Sequence, residues 1–209
     1  MNIGIMGGTF DPVHNAHLSI ASQVCNLCSL DKVFLMPTSI PPHKINRNIS
    51  SVQHRLAMLN LAVEDYPCLE VSTVELDRTG TTYAIDTLEH LVAKEEGVNY
   101  FYIIGADVVF DLLNWKDCKK VFQLCSFIAL MRQGYERCLF DAKIKELRNV
   151  YGVKISCVEV PLIDISSTFV RNCFAEFTGL ESNQAKDNLA YKKVPKKVFE
   201  YILNNKLYR

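Results

Sequence analysis

The stretch Gly7-Gly8-Thr9-Phe10-Asp11-Pro12-Val13-His14-Asn15-Ala16-His17 decides the fold of this chain of 209 residues. It follows the apolar run Ile3-Gly4-Ile5-Met6 and precedes a segment with helical apolar spacing that begins at Leu18. This order predicts a strand, a glycine turn and the start of a helix. Glycines permit close approach of a ligand, and the N–H groups at a helix start attract anions. His14 and His17 add hydrogen-bonding imidazoles, so the stretch predicts a cradle for a nucleotide phosphate.

Strand-like apolar runs alternate with helical patterns along the rest of the chain, which indicates right-handed βαβ units. We therefore expect an α/β fold, a Rossmann-like doubly wound parallel sheet of five to six strands with helices on both faces. Without repeats or low-complexity tracts, residues 1–209 are interpreted as one domain. The predicted strands are Asn2–Met6, Lys32–Met36, Leu69–Ser72, Tyr100–Ile104, Ser126–Met131 and Lys154–Val158. The predicted helices are Ala16–Leu27, Val52–Tyr66, Ala84–Glu95, Ala106–Leu113, Phe140–Asn149, Ser167–Phe174 and Val194–Asn204.

Composition restricts the classes of function. Lys+Arg and Asp+Glu both number 23, so the chain has no net positive charge to attract nucleic acid or an anionic membrane. Neither is an expected partner. Apolar runs are shorter than the roughly 20 residues that span a bilayer. The chain opens on a strand-like run instead of a signal-like segment, which predicts a cytoplasmic protein. The sequence does not fix the oligomeric state, and a homodimer is compatible with it.

The eight cysteines raise the question of a disulfide or metal site. Cys25 and Cys28, the one close pair, fall inside the first helical pattern, and the others are scattered among apolar neighbours, which favours buried free thiols. A zinc site that combines these two thiols with His14 and His17 is disfavoured. Along a helix the thiols would lie ~12–16 Å from the imidazoles, too far to share one ion. No protein metal site is therefore predicted.

A second motif, Ile165-Ser166-Ser167-Thr168-Phe169-Val170-Arg171, lies far along the chain. With the first stretch it resembles the nucleotidyltransferase superfamily, whose signatures are H-x-G-H or T-x-G-H and I-S-S-T-x-[IV]-R. Three intermediate segments resemble the bacterial nicotinate mononucleotide adenylyltransferases in particular, and the resemblance covers residue 1 to about residue 204. These segments are Pro41-Pro42-His43-Lys44, Tyr83-Ala84-Ile85-Asp86-Thr87-Leu88 and Ile104-Gly105-Ala106-Asp107 through Trp115. Ala16 departs from the pattern, because the family usually has glycine there.

The resemblance implies roles for individual residues. Stabilisation of the transferred group would fall to His14, His17, Lys44 and Arg171. The implied ATP-binding residues are Gly7, Gly8, Thr9, Phe10, His14, His17, Gly105, Asp107, Ile165, Ser166, Ser167, Thr168 and Arg171. The implied residues for nicotinate mononucleotide are Asp11, His43, Lys44, Tyr83, Ala84, Trp115 and Lys116.

The residue types themselves leave some of these roles open. Arg171 suits phosphate because a guanidinium grips two oxygens at once. Ser166 and Ser167 also suit a plain helix cap, and Asp107 could simply begin a helix. His43 and Lys44 could belong to an ordinary solvated basic loop. Ala84 stands where relatives often carry threonine, which leaves the acid-versus-amide preference less determined.

The implied reaction transfers AMP from ATP to the 5′-phosphate of nicotinate mononucleotide and releases pyrophosphate. Mg²⁺ is expected to arrive on the ATP phosphates, because no carboxylate cage for it is evident. Two other acceptors remain open, nicotinamide mononucleotide and phosphopantetheine, and so does a non-catalytic nucleotide sensor on the same fold. A dinucleotide dehydrogenase is disfavoured because no G-x-G-x-x-G follows the first strand.

Overall fold

The computed structural model describes residues 1–38, 49–78, 82–131, 136–161, 163–176 and 189–209. Six parallel strands form one sheet in the order β3-β2-β1-β4-β5-β6. Their bounds are β1 Asn2–Gly8, β2 Lys32–Pro37, β3 Leu69–Val71, β4 Asn99–Gly105, β5 Ser126–Leu130 and β6 Ile155–Val158. The prediction of a doubly wound parallel sheet is confirmed, and all six predicted strands are present with shifts of one or two residues at their ends.

All seven predicted helices are present as well. The helices are α1 Asn15–Leu27, α2 Val52–Val63, α3 Ala84–Lys94, α4 Ala106–Asp111, α5 Cys118–Leu124, α6 Arg137–Tyr151, α7 Ser167–Ala175 and α8 Lys196–Asn204, with a 3₁₀ turn at Leu112–Asn114. Helix α5 escaped the sequence analysis because its seven residues bury only Val121 and Phe122, too few for a periodic apolar stripe. Helix α6 begins earlier than predicted because its first three residues are exposed, so that its buried stripe starts only at Phe140. No helix among these described segments is long and apolar enough to cross a membrane.

Hydrophobic clusters cover both faces of the sheet. Alternate residues of β2 point to opposite sides: Val33 and Leu35 join one cluster, and Phe34 and Met36 join the other. Helices α1, α2, α7 and α8 pack on the first face, and α3, α4, α5 and α6 pack on the second. This arrangement explains the near-continuous apolar strands, because a parallel sheet covered by helices is buried on both sides.

The prediction for the cysteines is only partly correct. All eight lie within the described residues and none forms a disulfide, but only Cys25 and Cys125 are buried. Cys138 and Cys157 are exposed. Cys138 lies among the exposed first residues of α6, and Cys157 lies on β6, an edge strand with only one neighbour. Apolar neighbours in the sequence therefore did not indicate whether these two cysteines are buried.

Candidate active site

The strand order reverses between β1 and β4, the two central strands. Connections from β1 lead outward through β2 and β3, whereas those from β4 lead through β5 and β6 in the other direction. Parallel sheets bind ligands in the crevice at such a switch point, beyond the carboxyl ends of the strands. The turn after Gly8 and the turn after Gly105 both lie at this edge. They flank the candidate site.

Two glycines at the end of β1 differ in what surrounds them. Gly7 is exposed, and a Cβ placed on it would meet no protein atom within 4 Å. A Cβ on Gly8 would lie 3.0 Å from the ring of Phe10. Phe10 is buried with a φ of 49°, so its ring fills the space under the turn and faces the protein interior. Gly7 thus leaves open space at the switch point, and Phe10 shapes the turn from below.

His14 and His17 stack on each other at the start of α1. Their ring centroids are 3.6 Å apart, with an interplanar angle of 22°. The backbone N–H of His14 donates to Nδ1 of His17 at 3.3 Å. Because Nδ1 accepts, the neutral form of His17 carries its proton on Nε2 and is a donor there. The pair can therefore offer ring N–H groups to an anion at the N-terminus of a helix.

Burial lowers the pKa of His14 from its ordinary value of 6.5 to about 4. Only 4% of the residue is exposed, and Nδ1 has no hydrogen-bonding partner among the described residues. At neutral pH this imidazole is uncharged because the interior disfavours the protonated form. A buried ring with an unsatisfied nitrogen is suited to a polar ligand that supplies the missing bond.

The late motif, residues 165–171, directly contacts the turn that follows β1 (residues 9–13, called the first turn from here on). Nη1 of Arg171 donates to the carbonyl oxygen of Asp11 at 2.7 Å, and Nη2 donates to Oγ1 of Thr168 at 3.1 Å. Oγ of Ser167 donates to the carbonyl oxygen of Pro12 at 2.9 Å. Oγ of Ser166 accepts from the N–H of Phe169 at 3.1 Å and so caps α7. The guanidinium of Arg171 and the turn that leads to the histidines therefore lie side by side.

Asp11 turns its carboxylate inward. The residue is 3% exposed; Oδ1 accepts from the hydroxyl of Tyr208 at 2.7 Å, and Oδ2 accepts from the N–H of Ser50 at 3.3 Å. The predicted contact with the mononucleotide is therefore not supported for this side chain. Its carboxylate instead accepts hydrogen bonds within the protein and anchors the turn to Tyr208 and Ser50. The sequence analysis missed this role because a single aspartate in a turn carries no signal of the partner it will meet.

Arg55 is a functional candidate that the sequence analysis missed. It is 1% exposed, and Nη1 donates to the carbonyl oxygens of Thr9 and Thr38, both at 2.9 Å, while Nε donates to that of Ser50 at 3.2 Å. It thus joins the turn after β1 to the segments on either side of residues 39–48. A signal was present, since Arg55 shares a stripe of α2 with the buried Met58, Leu59 and Ala62. An arginine that falls on the buried apolar stripe of a helix needs hydrogen-bond acceptors inside the protein.

The structure brings Tyr83, Lys116 and Asp86 together at the start of α3. Nζ of Lys116 lies 4.6 Å from the centroid of the Tyr83 ring and 3.4 Å from Oδ1 of Asp86. Trp115, the neighbour of Lys116, is half-buried and makes edge contacts with Tyr102 and Phe127, at 5.6 Å and 6.3 Å between centroids. Four of the predicted acceptor-site residues, Tyr83, Ala84, Trp115 and Lys116, thus lie in one region, where Tyr83 precedes the first turn of α3 and its backbone N–H groups.

A buried polar cluster supports this start of α3 from below. Oγ1 of Thr87 donates to Oε1 of Glu75 at 3.1 Å and accepts from Nη2 of Arg78 at 2.5 Å. Burial raises the pKa of Glu75, while the hydrogen bond from Thr87 and the charge of Arg78 act in the opposite direction. Thr87 is fully buried, so it is an internal support of the site and not a ligand contact.

The turn after β4 holds the remaining predicted ATP residues. Gly105 precedes the first residue of α4, and Asp107 is exposed in the first turn of that helix. Ile165 is half-buried against the core beside α7. His43 and Lys44 lie outside the described residues, so their roles stay predictions. Within the described segments, no group of three or more His, Cys, Asp or Glu side chains could hold a metal ion.

The cytidylyltransferase-like family model matches residues 5–173. A protein from Thermoanaerobacter sp. is 42% identical over 172 residues, which cover 82% of each chain. A protein from Corynebacterium kroppenstedtii is 37% identical over 99% of this chain and 90% of its own length. One from Clostridium botulinum is 34% identical over the full length of both. All three are named probable nicotinate-nucleotide adenylyltransferases.

Solved structures have the same fold. The nicotinic acid mononucleotide adenylyltransferase of Plasmodium falciparum, solved as a complex with APC, matches with a TM-score of 0.76. It is 18% identical, and the match covers 99% of this chain and 96% of that one. The same enzyme complexed with NaAD also matches with a TM-score of 0.76. At this identity the likeness establishes the shared architecture.

Proposed function

This chain belongs to the cytidylyltransferase-like family, among the nicotinate-nucleotide adenylyltransferases, and we propose that it transfers AMP from ATP to nicotinate mononucleotide. The product would be nicotinate adenine dinucleotide, a precursor of NAD. One observation carries the proposal: Arg171 donates to the backbone of the same turn that ends in the stacked histidine pair. Two motifs at distant positions in the sequence thereby meet at one turn, which brings a guanidinium close to the segment that carries two imidazoles.

In the proposed reaction an oxygen of the mononucleotide 5′-phosphate attacks the α-phosphorus of ATP. The new phosphorus–oxygen bond forms as the bond between the α-phosphorus and the bridging oxygen to the β-phosphate breaks, and pyrophosphate leaves with that electron pair. The attacking oxygen is already deprotonated, so no general base is required. Rate enhancement then depends on alignment and on charge stabilisation.

The residues of the cluster supply this stabilisation from different sides. His14 and His17 donate ring N–H groups together with the N-terminus of α1. Arg171 carries a positive charge, and a guanidinium can hold two phosphate oxygens at once. Lys44 is proposed to add a further positive charge and His43 an imidazole; both lie outside the described residues.

Mg²⁺ is proposed to enter on the triphosphate. The described residues fit this arrangement because the buried carboxylate of Asp11 is already occupied by Tyr208 and Ser50, and they contain no acidic cluster that could hold the ion by itself. When bound, the ion neutralises part of the phosphate charge.

The acceptor is proposed to bind between Trp115 and the start of α3. The half-buried indole offers a flat surface to the pyridine ring. Backbone N–H groups near Ala84 and the side chain of Lys116 provide positive potential where the nicotinate carboxylate would lie. This positive potential favours a carboxylate over a neutral amide. It is the reason for preferring nicotinate mononucleotide over its amide as the acceptor.

We also propose that the protein acts in the cytoplasm. Eight cysteines without a disulfide suit a reducing compartment. The proposed partners are the two nucleotides, and a homodimer is compatible with the sequence.

Pyrophosphate release tests the proposal. The purified protein is incubated with ATP, Mg²⁺ and one of three acceptors: nicotinate mononucleotide, nicotinamide mononucleotide or phosphopantetheine. We expect the acid to give the highest kcat/KM, by at least roughly 10-fold over its amide, because the amide lacks the charge that the start of α3 attracts. A faster reaction with either other acceptor would contradict the assignment. ATP binding without turnover of any acceptor would instead favour a nucleotide sensor.

A further inference from the structure

The segment that follows α8, residues 205–209, packs beneath the first turn. The N–H groups of Lys206 and Leu207 donate to the carbonyl oxygens of Leu203 and Ile202, both at 3.1 Å, and so tie the segment to α8. Lys206 and Tyr208 have φ values of 52° and 65°. Residues with side chains rarely adopt this left-handed conformation, and they retain it where the surroundings hold them. The segment is therefore a specific turn that directs Tyr208 inward.

Tyr208 reaches the site from this turn. Its ring lies 6.3 Å from that of Phe174 between centroids, and its hydroxyl donates to Oδ1 of Asp11 at 2.7 Å. Burial and the neighbouring negative charge of Asp11 raise the pKa of Tyr208. The hydroxyl consequently keeps its proton at every working pH and remains a donor to the carboxylate.

Asp11 connects this tyrosine to the ATP side of the site. Its carboxylate accepts from Tyr208, while its backbone carbonyl accepts from Nη1 of Arg171 at 2.7 Å. We propose that Tyr208 is a positioning residue for ATP: by holding the carboxylate of Asp11, it fixes the guanidinium of Arg171 and the turn that leads to His14. This inference rests on the proposed function, because it takes Arg171 to be a ligand of the ATP phosphates.

The expected consequence of losing the hydroxyl follows from charge. Oδ1 of Asp11 is buried, and an ionised oxygen that loses its donor seeks another. The charge of Arg171 already acts on Tyr208, so the guanidinium lies within electrostatic reach of this oxygen. Without the tyrosine hydroxyl, the guanidinium would turn toward the carboxylate and away from the phosphate site. ATP affinity would fall, whereas the acceptor region around Trp115 would be left unchanged.

The test compares Tyr208→Phe with Tyr201→Phe. The control tyrosine lies on α8, where its hydroxyl is 2.9 Å from Nδ1 of His54. Each substitution removes one hydroxyl: Y208F loses the bond to Asp11 together with a weak contact to Sδ of Met58 at 4.0 Å, and Y201F loses the bond to His54. We expect Y208F to raise the Kd and the KM for ATP roughly 10-fold, with the KM for the mononucleotide within about 2-fold of wild type. Y201F is expected to leave all three constants unchanged.

Thermal unfolding of both variants separates positioning from general stability. If the ATP constants of Y208F match wild type, or if both variants lose ATP affinity in step with their unfolding temperatures, the proposal is wrong. Titration calorimetry with ATP alone keeps this test independent of the acceptor. A wild-type protein that binds ATP but turns over no acceptor would sink the proposed reaction, whereas equal ATP binding by wild type and Y208F would sink the role of Tyr208.

A double-mutant cycle identifies the path of the effect. In an Asp11→Asn background the buried charge is absent, so the guanidinium is no longer drawn away. We expect Y208F to change the Kd for ATP by less than about 2-fold there. Additive effects of the two substitutions would mean that Tyr208 does not act through Asp11, and would overturn the proposal.

Discussion

His14 is held in its neutral form by burial, and this makes stability depend on pH. Its pKa falls from 6.5 to about 4 in the folded protein. At a pH between these two pKa values, His14 is protonated in the unfolded chain and neutral in the folded chain. Stability from this residue is therefore fully present above about pH 6.5 and is lost as the pH falls toward about 4. By about pH 5 the loss amounts to about 2 kcal/mol.

Urea unfolding of wild type and His14→Asn without nucleotide, at about pH 7.5 and about pH 5, measures this effect. We expect the free energy of unfolding of wild type to drop by about 2 kcal/mol more than that of the variant, because asparagine does not titrate. The raised pKa of Glu75 works in the opposite direction but is common to both proteins and cancels in the difference. Equal drops in the two proteins would show that His14 is not desolvated as described.

At this scale, sequence reasoning was most informative where a residue belongs to a recognisable motif. It grouped Arg171 with His14 and His17, and the guanidinium does contact the turn that leads to the histidines, while the roles of these residues stay predictions. It did not find the hydrogen bonds of Arg55 or Tyr208, because these depend on which carbonyl or carboxylate lies opposite in three dimensions. Arg55 left a trace as a charge on an apolar helix stripe. Tyr208 left none, since a non-helical turn after α8 has no periodic pattern.

Gly4 and Gly7, two of the three glycines of strand β1, have different surroundings, and an alanine substitution at each should have a different effect. A Cβ on Gly4 would lie 2.9 Å from Leu30 Cδ1 and 3.0 Å from Val33 Cγ2, inside the core. A Cβ on Gly7 would meet nothing. We expect Gly4→Ala to lower the free energy of unfolding by about 1–3 kcal/mol with little change in ATP affinity. We expect Gly7→Ala to leave stability within about 0.5 kcal/mol and to weaken ATP binding roughly 10-fold.

Chemical unfolding and ATP titration of both variants provide the readouts. The two alanines add the same methyl to the same strand, so each variant is the control for the other. ATP binding by Gly7→Ala at wild-type affinity would mean that the nucleotide does not approach this end of β1. Unchanged stability of Gly4→Ala would contradict the close packing described for the core.

Helices and strands could be predicted where their buried apolar residues recur at a regular spacing. After their first residue, the two strands at the switch point contain only apolar residues, tyrosine and glycine, and both were placed within two residues of their ends. Helix α5 was missed because its two buried residues provide no repeat, and α6 was predicted too short because its ends are held by polar contacts such as the Arg137–Asp141 pair. Short or polar segments are determined by the tertiary packing that they join, which a single sequence window does not contain.

On the scale of the whole molecule, the two hydrophobic clusters share every central strand, so neither can be lost alone. We predict one cooperative unfolding transition, seen at the same midpoint by far-UV circular dichroism and by the fluorescence of Trp115, the only tryptophan. ATP at about 100 times its Kd should add about 2.7 kcal/mol and raise the midpoint by roughly 5–10 °C. Separate midpoints for the two probes would divide the chain into independent units and contradict the single-domain prediction.

The bonds that close the site join residues very far apart in sequence: 160 positions separate Arg171 from Asp11, and 197 separate Tyr208 from it. During translation, the histidines and the glycine turn leave the ribosome long before either partner exists. A nascent chain therefore exposes its first turn without the guanidinium and the phenol that complete it. We therefore expect a chain that lacks these two residues to bind ATP more weakly than the full chain, and full affinity to be reached only after both have left the ribosome.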